Sequence, residues 1–231
     1  MQPNRRKDLE TNEKYAIIVF QLVERTGGVT GLGKQAKRLS DVQLRTLLRH
    51  VEAETGFPDR NRVIVLLSFK AGLRSKEIAC ARWGMVTDTE GDISDSLALT
   101  NGASKGRSGR VIPLHRELKA ALATLHEQER AKDRGEPDDF VVVFSKGATD
   151  SVTRSNSVQF LFREWFAKLG FAGASSHSGR RTFITRAARK VSEVGGSIRD
   201  VQALAGHSSI QTTQRYIDSD PEAQRKLIDR L

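Results

Sequence analysis

ISDSLALTNGASKGRSGRVIPL, residues 93–114, holds two short apolar runs separated by a stretch of Asn, Gly and Ser. Short β-branched runs bounded by turn residues predict strands. We read residues 93–100 and 109–114 as a β-hairpin joined by NGASKGRS, with Pro113 at a strand end. A third run of the same character, DFVVVFS (139–145), predicts a neighbouring strand. The sequence around these runs has helical character. HRELKAALATLHEQERA (115–131) is a helix lying between the hairpin and the third strand. The expected fold class is therefore mainly α with a small three-stranded antiparallel β-sheet.

Working outward, Ser40 and Asp41 are N-cap candidates for a helix through about Glu54. Its apolar positions Val42, Leu44, Leu47, Leu48 and Val51 include steps of three and four. Gly56 and Pro58 break it. A more buried helix runs from about Asn61 to Ala71 and stops at Gly72; another begins near Ser75 and carries Ile78, Ala79 and Ala81 towards Trp83. Downstream, helices are expected near 153–169, 178–191, 198–205, 209–217 and 221–230. Residues 1–38 read as a separate N-terminal part. KYAIIVFQLVERTGG (14–28) suits one amphipathic helix, and GGVTGLGKQAKR (27–38) a basic linker. Residues 39–231 form the main domain.

The chain has 231 residues, long enough to bury a core without disulfides or metals. Its 38% hydrophobic and 29% charged residues suit a globular rather than a disordered chain. The single cysteine, Cys80, excludes an internal disulfide and suits a reducing compartment. Apolar runs such as Val63 to Leu67 are far too short to span a bilayer, and MQPNRRKDLE has no apolar signal region. The expected location is the cytoplasm, without membrane association. A net charge of +10 and a pI near 10.0 favour a polyanionic partner, of which nucleic acid is the usual one. The basic residues are spread along the chain, which argues for a folded binding face over a disordered arm.

Four separated segments carry chemically active side chains. AGLRSKEI (71–78) puts Arg74 after a glycine at a helix start, with Glu77 three residues on. ASKGRSGRVIPL (103–114) puts Lys105 on the hairpin turn, followed by Arg107 and Arg110. HSGRRTF (177–183) sets His177 three residues before Arg180, which Arg181 follows. LAGHSSIQTTQRYID (204–218) sets His207 nine residues before Tyr216. Each segment alone fits an ordinary structural role. A lysine on a turn is usually solvated, and a tyrosine on an amphipathic helix is usually packed.

In this order and spacing the segments resemble the tyrosine recombinases, the phage-integrase and Xer-like enzymes. That family carries an Arg in a GLR-x-x-E segment, a hairpin Lys, H-x-x-R, a Gly-His pair and a Tyr about nine residues later. The resemblance covers residues 39–231. It implies catalytic roles for Arg74, Lys105, His177, Arg180, His207 and the nucleophile Tyr216. Glu77 supports Arg74, and Arg107, Arg110 and Arg181 are DNA-binding candidates. Two departures stand out: Gly179 replaces the family's Leu, which predicts looser local packing, and Ala205 precedes the Gly-His pair. Only about 38 residues precede the catalytic region, as in compact members such as the fimbrial inversion recombinases; the DNA clamp of longer members could also be missing.

The implied reaction is transesterification of a DNA phosphodiester. Tyr216 attacks phosphorus, a 5′-hydroxyl leaves, and a 3′-phosphotyrosyl link retains the ester without ATP. A free tyrosine, with a pKa of about 10, is ionised about once in a thousand molecules at pH 7, so a base is needed. His177 suits that role, Arg74 and Arg180 suit the non-bridging oxygens with His207 as a further donor, and Lys105 suits protonation of the leaving oxygen. No cofactor and no metal are expected: the sequence has no ligand-spaced Cys/His or paired-carboxylate cluster and no GxxxxGK[ST] loop. His50, His115 and His126 match no motif and are expected at the surface, and Trp83 and Trp165 as packing anchors.

The implied partners are double-stranded DNA, further copies of the chain in dimers and tetramers, and an accessory DNA-bending protein. The implied location becomes nucleoid-associated. The tail PEAQRKLIDRL (221–231) suits a helix packed on either its own domain or a neighbour. A type IB topoisomerase shares the chemistry, but its size and motif spacing fit less well. A non-catalytic DNA-binding protein on the same fold is the other reading, and the full residue set argues against it.

Overall fold

A computed structural model of the chain describes residues 36–104, 108–144, 150–216, 225, 228 and 229. The expected N-terminal helix and nearly all of the expected tail helix lie outside these residues.

Helix α1, Asp41–Ala53, starts at a capping box: the Ser40 hydroxyl accepts from the Gln43 N–H, and the Gln43 side chain accepts from the Ser40 N–H. It buries Leu44, Leu47, Leu48 and Val51, while Val42 faces outward. Helix α2, Pro58–Lys70, begins at the proline expected only to break the previous helix. Proline at the first turn costs nothing, because its missing N–H would have no helical partner. Val63 to Leu67 are all fully buried, so α2 is the central helix of the core. Each such side chain contributes roughly 1.5–3 kcal/mol of burial. Gly72, at φ +66°, ends this segment in a left-handed conformation, and a Cβ there would overlap the Phe183 ring.

A short helix, α3 (Ser75–Ala79), leads to a 3-10 turn at Trp83–Met85. Strands β1 (Ser96–Leu99) and β2 (Arg110–Pro113) pair antiparallel, with Leu97 opposite Ile112 and Leu99 opposite Arg110. Helix α4, Arg116–Arg130, is capped by His115 and packs on α2. Helix α5, Ser151–Lys168, capped by Asp150, packs on α3. Helices α6 (Ser178–Lys190), α7 (Ile198–Ala205) and α8 (Ile210–Gln214) follow. A second small apolar cluster, Ile184, Val201 and Ala205, joins α6 to α7 and receives the Tyr216 ring. Among the described residues no helix is long and apolar enough to cross a membrane.

Three expectations are corrected. The described sheet has two strands, not three: Phe140 makes a single antiparallel bridge with Arg82, outside the hairpin. The carbonyls that a third strand would have paired go to side chains. Arg154 Nη2 donates to Val142 O (2.6 Å) and Arg60 Nη1 to Val143 O (3.2 Å). His50 and His126 are buried rather than surface residues. His126 stacks near Trp83 (4.4 Å between centroids) with Nε2 2.9 Å from Gly135 O, and His50 Nδ1 lies 3.2 Å from Glu54. Gly179 does not loosen packing. It lets α6 press against α2 so closely that a Cβ would overlap the Ser68 hydroxyl and come within 2.9 Å of Phe69.

Candidate active site

Arg74 sits where the chain leaves Gly72 and enters α3. Its backbone N–H and Nη1 both donate to the Glu77 carboxylate, each at 2.8 Å. Glu77 is fully buried (0% of its side chain exposed), while Arg74 keeps 27% exposed. Burial pushes the Glu77 carboxyl up, but the hydrogen bonds and charges of Arg110 and Arg74 outweigh it, and the net shift is downward. Glu77 is therefore ionised, and the exposed edge of Arg74 is free to turn towards an anion.

Arg180 lies in the first turn of α6 and is buried. Its Nη1 donates to Gly72 O (2.7 Å) and its Nη2 to Ala205 O (2.6 Å). The left-handed turn at Gly72 aims its carbonyl at this guanidinium, and the Ala205 carbonyl is a free acceptor at the end of α7. Arg180 Nη2 also lies 3.0 Å from His207 Nε2. Burial, then the charge of Arg74, lowers the Arg180 pKa to about 10, which leaves it cationic at neutral pH. None of these three partners is a carboxylate.

His207 follows Gly206, the left-handed C-cap of α7 (φ +61°). Its Nδ1 is 2.9 Å from Thr213 Oγ1, and its ring stacks on Tyr216 with centroids 5.4 Å apart. Burial, followed by the charges of Arg180, Arg74 and Arg110, lowers the His207 pKa to about 4, so the ring is neutral at pH 7. Tyr216 is part-buried; Thr185 Oγ1 donates to its carbonyl (3.0 Å), which fixes the backbone beside the ring. His177 stands at the N-cap position of α6, makes no side-chain capping bond and is exposed. Partial desolvation and then the charges of Arg180 and Arg74 lower its pKa, which keeps the imidazole in its base form.

Six of the expected residues, Arg74, Glu77, His177, Arg180, His207 and Tyr216, thus fall in one neighbourhood. Arg110 joins it from β2: its side chain is 6% exposed and its guanidinium grips Glu77. Arg181 is half-buried at the next position of α6. Lys105 and Arg107 lie outside the described residues. Sequence reasoning missed Thr213, Gly72 and Thr185. A fully buried threonine six residues after the motif histidine gives no signal of its own. Among the described residues no three His, Cys, Asp or Glu side chains converge on a metal position.

The arrangement brings together two guanidiniums, a neutral imidazole and a tyrosine, and paired guanidinium donors suit an anion. The pattern of the phage integrase family matches residues 37–223. The chain is 28% identical over 207 residues to tyrosine recombinase XerC of Bacillus pumilus (strain SAFR-032), covering 86% of this chain and 63% of that protein. The chain therefore spans less than two thirds of that relative's length. Its fold is similar to the crystal structure of XerA recombinase (TM-score 0.64, 21% identity, 86% of this chain and 66% of that one). It is also similar to the XerH site-specific recombinase bound to palindromic difH substrate in a post-cleavage complex (TM-score 0.63, 18% identity, 88% and 55%). The family match spans residues 37–223, well over half of the sequence, and the chain belongs to the phage integrase family.

Proposed function

We propose that residues 39–231 are the catalytic domain of a site-specific DNA recombinase, preceded by a separate segment, 1–38. The domain cleaves and rejoins duplex DNA through a 3′-phosphotyrosyl link at Tyr216, using no metal and no ATP. The observation that carries this reading is the stacking of Tyr216 on His207 beside the buried Arg180, with the Glu77-held Arg74 near enough for its charge to act on Arg180. Family membership and a solved relative bound to its DNA substrate support it.

In the proposed reaction the Tyr216 oxygen forms a bond to phosphorus as the bond to the 5′-oxygen breaks. His177 takes the tyrosine proton. Arg74 and Arg180 donate to the non-bridging oxygens, where removal of one such donor costs about 3–4 kcal/mol in comparable sites. Lys105 protonates the leaving 5′-oxygen. Rejoining is the reverse, with the 5′-hydroxyl as nucleophile. Dimers and tetramers on paired sites would supply the strands to be exchanged, aided by an accessory DNA-bending protein.

The test is incubation of the chain with DNA of its own replicon, followed by detergent denaturation. Wild type should yield a covalent protein–DNA adduct that Tyr216→Phe does not. Salt-sensitive binding without any adduct would favour the binding-only reading. Relaxation of any supercoiled plasmid by the monomer would favour a type IB topoisomerase.

A further inference from the structure

We propose that Arg110 is a positioning residue that couples the two halves of the phosphate site: Arg74, held through Glu77, and the Arg180–His207 pair, held at the end of α7. The inference rests on the functional reading above.

The strand register sets the direction of this side chain. Arg110 and Ile112 share one face of β2, and Ile112 is buried. Val111, between them, points outward at 64% exposure. Alternation along the strand therefore turns Arg110 inward. A buried guanidinium needs acceptors, and this one has them on three sides. Nη1 and Nη2 form a fork on the two Glu77 oxygens, each at 3.2 Å. Nε donates to Leu204 O at 2.8 Å, and Nη1 also reaches Ser108 O at 3.2 Å.

These partners belong to both halves of the site. Glu77 is the carboxylate that orients Arg74, and with Arg110 removed its main cationic partner would be the part-exposed Arg74 itself. Leu204 precedes Ala205, whose carbonyl holds Arg180 Nη2, and Gly206 and His207 come next. The packing at this joint is close: a Cβ on Gly206 would lie 2.8 Å from Arg110 Nη1. Displacing Arg110 thus disturbs Glu77 and the α7 terminus together. Its donors are committed inside the protein, which differs from the DNA contact expected from sequence.

The test uses the full chain with Arg110→Gln and, should that variant not fold, Arg110→Lys. A lysine keeps the charge but cannot form the fork and reach Leu204 together. Binding to a duplex of arbitrary sequence is followed against salt by anisotropy. Single-turnover cleavage is followed on a nicked duplex carrying the site mapped from trapped wild-type adducts. The salt slope should stay at the wild-type value, because no phosphate contact is lost. Cleavage should slow on the order of 10- to 100-fold, as when partners behind reactive groups are removed in metal sites. Combining the change with Arg74→Lys should slow cleavage by less than the product of the two single effects. A slope smaller by about 0.9 would make Arg110 a phosphate contact and overturn the proposal. So would unchanged cleavage, or effects that multiply in full. Failure of wild type to form any adduct would instead count against the functional reading, and the salt slope would still judge Arg110.

Discussion

Arg180 Nη2 lies 3.0 Å from His207 Nε2, and the direction of that hydrogen bond is fixed. A guanidinium has only donors, so Nε2 is the acceptor. The imidazole proton therefore sits on Nδ1, where it donates to Thr213 Oγ1 at 2.9 Å. In this arrangement His207 receives from Arg180 and offers no N–H to a phosphate. Its expected role as a further donor requires that bond to open. Nitrogen-detected NMR should show a neutral ring protonated at Nδ1 at pH 7, and an Nε2–H tautomer would contradict this. Thr213→Val should destabilise the chain by about 1–3 kcal/mol by leaving the buried N–H unpaired.

The low pKa of His207, about 4, links the site to acid stability. Above pH 6.5 the ring is neutral in both folded and unfolded chains. Between 6.5 and about 4 the unfolded chain takes up a proton that the folded one refuses, so stability falls as pH drops through that window. Denaturant titrations from pH 7 to 4.5 should show a shallower loss in His207→Gln than in wild type. Equal slopes would show that the folded ring takes its proton normally.

His177 should shape the reaction's pH profile in a related way. Its pKa is lowered by desolvation and by Arg180 and Arg74, so the base form persists below pH 6.5. The acid limb of the cleavage rate at limiting enzyme should fall below 6.5 and vanish in His177→Gln. An acid limb above 6.5 would point to a different base.

Gly179 supplies a purely structural prediction. A methyl group there overlaps Ser68, so Gly179→Ala should cost about 1–3 kcal/mol by overpacking. The double variant Gly179→Ala with Ser68→Gly should recover part of that loss in a thermal melt. No recovery would place the strain elsewhere.

Local signals were legible in the sequence, and distant partners were not. The hairpin follows from two apolar runs around a turn, and the start of α1 from its Ser40 cap. Arg74, Glu77, Arg180, His207 and Tyr216 were picked out by the order and spacing of their segments, which resemble the tyrosine recombinases, since each segment alone fits an ordinary role. DFVVVFS looked like a strand because its composition is strand-like. Its carbonyls instead meet Arg60, 83 residues away, and Arg154, 12 residues on in a different element. Arg110 looked like a DNA contact because its partners stand 33 and 94 residues away. One local clue pointed inward: it shares a strand face with Ile112. Gly179 misled because a glycine in a helix suggests slack, whereas here it permits contact between α6 and α2.

The most direct measurement is to find where and how the DNA is attached. Trapped adduct formed in EDTA is digested with protease, and the DNA-linked peptide is identified by mass spectrometry. The account predicts a peptide modified at Tyr216, joined to a 3′-phosphate, with a free 5′-hydroxyl on the other end. Attachment at another residue, a 5′-phosphate link, or an adduct that needs a divalent cation would contradict it.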